Sequence, residues 1–79
     1  MIKEYWIDRG YIRNYNCISY EAEETYTNYK EALKAWEHAK NMTTKHEYVE
    51  FLVIYFETKE DQEQLNIADS EVKYHYELD

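Results

Sequence analysis

Apolar positions recur along this chain with two periods: every second residue, as in strands, and every third or fourth, as in a helix. The most apolar segment is residues 47–57, Glu-Tyr-Val-Glu-Phe-Leu-Val-Ile-Tyr-Phe-Glu. Val49, Phe51, Val53 and Tyr55 alternate there with Leu52, Ile54 and Phe56, so both faces of the predicted strand are apolar. A strand of that kind sits in the centre of a sheet and is covered on both sides. Residues 71–78 alternate cleanly, which predicts Val72, Tyr74, Tyr76 and Leu78 inward and Glu71, Lys73, His75 and Glu77 outward.

Residues 2–13 hold Ile2, Tyr5, Trp6, Ile7, Tyr11 and Ile12, a strand-like set of mixed parity around Gly10, where a bulge or a turn is expected. Asn14-Tyr15-Asn16 reads as a turn, because Asn tolerates positive φ. Residues 17–25 then alternate Ile18, Tyr20 and Ala22 against Cys17, Ser19, Glu21 and Glu23. The two segments form an antiparallel hairpin, whose register would shift if the turn lay at Arg9-Gly10 instead.

The helical period is confined to residues 28–42. Tyr29, Ala32, Leu33, Trp36, Ala39 and Met42 form one stripe, with Lys30, Lys34, Glu37, His38 and Lys40 largely off it. Asn28 stands three residues before Glu31, the spacing of a capping box. Thr58 and Asp61 repeat that spacing and predict a single helical turn within 58–66.

The order is β-β-α-β-(short α)-β. It predicts an α+β fold, a four-stranded, mostly antiparallel sheet with the main helix across one face and Trp36 near the middle of that contact. At 79 residues the chain is expected to be one domain, 1–79. One helix cannot cover two faces of such a sheet. The second face is therefore closed by Trp6, residues 58–66 and sheet coiling, or it is an interaction surface for a partner or a second copy.

Composition narrows the classes. Gly 1 and Pro 0 exclude Gly-rich phosphate loops and Pro-rich linkers. The longest purely apolar run, Phe51 to Phe56, is far shorter than the roughly 20 residues that span a bilayer, and the first residues lack the apolar stretch of a signal peptide. Cys17 is the single cysteine, so no intramolecular disulfide forms. A cytoplasmic protein in a bacterial host cell is the expectation. Ile, Lys, Asn and Tyr, whose codons are A+T-rich, make up 28 of the 79 residues, as in a low-G+C bacterium, its phages or other mobile elements. Ten of the fourteen aromatics are Tyr, which suits half-buried sheet faces and interfaces.

The net charge of −8 is unevenly spread. Residues 1–20 carry +1, residues 21–27 carry −3, residues 28–46 carry +2 and residues 47–79 carry −8. This balance argues against direct contact with nucleic acid, which needs clustered Lys and Arg. It fits a protein partner with a basic surface. Glu21 with Glu23, and Glu71 with Glu77, lie in strand rows, while Glu57, Glu60, Asp61 and Glu63 crowd one loop. Such rows imitate a line of phosphates, and the attraction they exert is long-range and salt-dependent. The plainer reading is a solvated surface that keeps the chain soluble.

Chemistry beyond binding finds no footing. Cys17, His38, His46 and His75 match no compact ligand spacing, and Glu57-Thr-Lys-Glu-Asp61 lacks the turn glycine of a calcium loop. No cofactor, no metal and no enzyme activity are expected. The leading expectation is a small acidic inhibitor of phage or mobile-element origin. It would occupy the basic groove of a host nucleic-acid-binding protein, as an anti-CRISPR or anti-restriction DNA mimic does. The partner-binding residues expected are Glu57, Glu60, Asp61, Glu63, Asp69 and Glu71, then Glu21, Glu23 and Glu24, with Tyr74 and Tyr76 beside them. The alternative is a homodimeric structural or regulatory module joined through the open sheet face.

Overall fold

The computed structural model describes residues 1–20 and 24–78. Its elements are β1 (Ile2–Arg13), β2 (Asn16–Ser19), β3 (Glu24–Tyr26), α1 (Tyr29–Asn41), β4 (Glu47–Phe56), α2 (Lys59–Glu63) and β5 (Asp69–Leu78). The expected α+β fold is present: an antiparallel sheet in the order β2-β1-β4-β5, with β3 also on β1 and one main helix.

β1 runs unbroken through Gly10, so the predicted break there does not occur. The turn lies at Asn14 and Tyr15, with φ of 52° and 66°. Two successive positive φ values match the twist of a two-residue hairpin. The predicted second strand, 17–25, is two short strands on the same edge of β1. β2 pairs Gly10 with Ser19, whereas β3 pairs Tyr5 with Tyr26, so the register differs by two residues between them. Ala22, Glu21 and Glu23 fall between these strands and lie outside the described residues.

α1 starts as its sequence dictates. The Asn28 side chain accepts a hydrogen bond from the Glu31 amide at 3.1 Å, which satisfies one otherwise open helical donor. Ala32, Trp36 and Ala39 are buried against Tyr5, Ile7, Val49, Phe51 and Val53. Trp36 meets Phe51 edge-on and is 5% exposed, as its predicted central place requires. Met42 is the exception on the stripe: it is the C-cap residue and is exposed.

β4 is central, between β1 and β5, and buried on both faces. Val49, Phe51 and Val53 pack with α1, and Tyr55 lies beside them. On the other face, Tyr48, Ile54 and Phe56 are also buried. α2 lies over the Ile54 and Phe56 end of that face: its Gln62 amide donates to Glu4, which pairs with Ile54. Thr58 caps α2 by accepting from the Asp61 amide at 3.1 Å.

The alternation expected for β5 is broken. Phe51 pairs with Tyr74 but Leu52 pairs with Val72, so Lys73 is an extra residue, a β-bulge. Tyr74 and Tyr76 therefore face α1, while Val72 points to the opposite face and is 54% exposed. Lys73 lies on the helix side, its ammonium 5.0 Å from the centre of the Tyr29 ring. The bulge also separates Glu71, opposite Val53, from Glu77, opposite Tyr48. The carboxylate row expected from those two residues does not exist.

Candidate functional site

The face of the sheet away from α1 is the strongest candidate. Cross-strand register places three rows on it: Trp6–Leu52–Val72, Asp8–Glu50–His75, and Ser19–Gly10–Tyr48–Glu77. Among the described residues, no strand position on this face is lysine or arginine. Lys3, Arg9 and Arg13 occupy the opposite parity of β1, and Lys73 turns to α1 through the bulge. Carboxylates on the face are Glu4, Asp8, Glu50 and Glu77, and the carboxylates of α2 adjoin its lower end. Strand carboxylates stand on both sides, Glu24, Glu47, Asp69 and Glu71 on the helix side, but the described strand lysines and arginines are all on the helix side, which no count along the chain reveals.

The polar rows are tightly organised. Asp8 is 8% exposed, and its Oδ2 accepts from the Ser19 hydroxyl at 2.9 Å and the Tyr48 hydroxyl at 3.2 Å. The Ser19 and Tyr48 hydroxyls are themselves 2.9 Å apart. Burial, with the Asp8 charge adding to it and the Ser19 hydrogen bond opposing it, pushes the Tyr48 hydroxyl up to about 12. Tyr48 stacks on the His75 ring with centroids 6.0 Å apart. His75 holds Glu50 at 2.9 Å through Nδ1 and Glu77 at 3.2 Å through Nε2. Burial alone lowers the His75 pKa, but the hydrogen bonds and charges of Glu50 and Glu77 outweigh it and the net shift is upward.

Beside these rows, Trp6 and Leu52 are half-buried and Val72 is exposed. The Trp6 indole N–H donates to Glu4 at 2.9 Å. Ile12, Cys17, His46, Glu77 and the turn residue Tyr15 line a hollow at the upper end of the same face. The chemistry available is recognition: an apolar strip bordered by carboxylates. Among the described residues no three His, Cys, Asp or Glu side chains are grouped to hold a metal ion, and no helix is long and apolar enough to cross a membrane.

The residues singled out from sequence are divided by the fold. Glu60, Asp61 and Glu63 lie on α2, with Glu57 just before it, next to the open face. Asp69 and Glu71 pair with Tyr55 and Val53 and so share the helix side, where the Tyr55 hydroxyl donates to Glu71 at 3.3 Å. Glu24 pairs with Ile7 on the helix side and accepts from Tyr26 at 2.6 Å. Tyr74 and Tyr76 also face α1, with Tyr74 5.8 Å from Trp36. Glu21 and Glu23 lie outside the described residues.

Sequence reasoning missed Asp8, Ser19, Tyr48, Glu50 and His75 as a group. A partial signal was present: Asp8 follows the apolar run Tyr5-Trp6-Ile7 in β1, and Glu50 interrupts the apolar run of β4 between Val49 and Phe51. Their juxtaposition depends on the β1–β4 register, which needs the structure. No family model, no curated protein and no solved structure matches this chain.

Proposed function

We propose that this chain is an acidic interaction protein that docks its open sheet face, with α2 at the rim, onto a basic surface of a partner. The carrying observation is the placement of the cations: among the described residues, the open face has four strand carboxylates and no strand lysine or arginine, and it also exposes an apolar strip. A basic groove that normally holds nucleic acid is the natural complement, and occupying it inhibits the partner. The attraction is steered over distance and weakens with salt. The same distribution disfavours the homodimer alternative. A two-fold contact through this face would bring together two surfaces that each carry Glu4, Asp8, Glu50 and Glu77 against the single imidazole of His75.

Sedimentation velocity of the purified chain, run with capture of partners from a low-G+C bacterial lysate under a salt gradient, tests the reading. A monomer that retains a basic nucleic-acid-binding protein, released by moderate salt, supports it. A stable dimer at high salt with no such protein retained refutes it in favour of the self-associating module.

A further inference from the structure

Asp8 Oδ1 is buried and has no hydrogen-bond partner. The other oxygen of the same carboxylate takes both nearby hydroxyl donors. An unsatisfied buried oxygen costs on the order of 1–3 kcal/mol. Glu50 stands directly opposite Asp8 across β1 and β4. Like charges in that relation destabilise a sheet, their Cβ atoms being about 5 Å apart. His75 serves Glu50 and does not reach Asp8. The fold thus keeps two neighbouring carboxylates with a single shared-row imidazole and an open acceptor.

We infer that the Asp8–Glu50 pair anchors an arginine side chain of the partner. This rests on the proposed basic partner and specifies its chemistry. A guanidinium presents donors in several in-plane directions and can bridge two carboxylates, whereas a lysine ammonium acts as a compact point charge. The flanks suit the rest of an arginine. Trp6 and Leu52 in the next row offer surface to the aliphatic stem, and the stacked Tyr48–His75 rings border the other side. A divalent metal is the less suitable occupant, since no three ligating side chains are grouped here among the described residues. Because Asp8 is 8% exposed, the guanidinium engages Glu50 first and reaches Asp8 with a side-chain adjustment on this face.

The test titrates the full chain with hexa-arginine and with hexa-lysine by calorimetry, following the Asp8 side-chain carboxyl carbon by NMR. Hexa-arginine is expected to bind about tenfold more tightly than hexa-lysine and to shift the Asp8 carbon. Asp8→Asn and Glu50→Gln should each abolish that preference, while Glu31→Gln, which removes the same charge from α1, should preserve it. Glu50 is only partly buried, so Glu50→Gln keeps the test alive if Asp8→Asn fails to fold. Equal binding of the two peptides, or a preference that survives both substitutions, overturns the arginine anchor and leaves the acidic-face reading standing. Absence of salt-dependent binding by either peptide overturns both.

Discussion

The Tyr48 ring lies across Gly10, and only a residue without a side chain fits beneath it. A β-carbon on Gly10 would stand 2.6 Å from Tyr48 Cε1 and 2.1 Å from the Ile18 carbonyl oxygen. This close approach lets the Tyr48 hydroxyl reach Ser19 and Asp8 beyond β1. The lone glycine of the chain therefore serves the polar rows of the open face, with no turn involved. Gly10→Ala should destabilise the protein by about 3 kcal/mol, the upper part of the range for overpacking, since one of the clashes is with backbone. It should also return the Tyr48 hydroxyl from about 12 toward 10. Urea denaturation and ultraviolet titration of the tyrosines check the two effects.

Trp36 carries the contact between helix and sheet. It is buried between Phe51, 6.5 Å away edge-on, and Tyr74 at 5.8 Å. Trp36→Ala should cost about 3–5 kcal/mol. A melting temperature close to that of the unaltered protein would contradict the assigned core.

The hairpin tip joins instability to exposure. Tyr15 adopts a φ of 66° and is fully exposed, in a turn position where glycine is preferred. Tyr15→Gly should stabilise the fold by roughly 0.5–1 kcal/mol by relieving the left-handed strain, net of glycine's own entropic cost. The same substitution should weaken partner binding, because Tyr15 lines the hollow continuous with the open face. Thermal melts and binding measured on one preparation separate the two effects. Loss of stability would contradict the turn assignment.

His75 makes stability depend on pH above about 6.5. Its folded pKa is raised, so the folded state holds the proton more tightly than the unfolded chain, whose value is about 6.5. The stabilisation is complete below about 6.5 and is lost as pH rises through the folded value. Glu47 has the opposite sign. Hydrogen bonds from the Thr44 hydroxyl, the Tyr20 hydroxyl and the Thr44 amide lower it to about 2. Its contribution is present above the unfolded value near 4.5 and fades as pH falls toward 2. His75→Gln should flatten the profile from about pH 6.5 upward, and Glu47→Gln should flatten it in acid. Denaturation midpoints across both windows test the two signs.

Local signals in the sequence translated directly into structure. Asn28 and Thr58 cap α1 and α2 because each supplies an oxygen three residues before a free amide. The two-faced apolar pattern of β4 marked it as central. The bulge at Lys73 was invisible, since residues 71–78 keep a perfect alternation and only pairing with β4 reveals the extra residue. That one irregularity moved Val72 to the open face and sent Glu71 and Glu77 to opposite sides. The candidate site was hidden for the same reason. Counting carboxylates along the chain selected the segment after β4, whereas the face assignment rests on register between β1, β4 and β5.

The most direct test of the acidic face is charge reversal on one side at a time. Glu50→Lys with Glu77→Lys alters the open face, Glu60→Lys with Asp61→Lys and Glu63→Lys alters the rim on α2, and Lys34→Glu alters the exposed side of α1. Association rates of each folded variant with the captured partner should be compared at low and moderate salt. The face variant should lose association most, the rim variant should associate more slowly, and the α1 variant should match the parent. Equal rates for the parent and the face variant would contradict the assignment of this face as the binding surface.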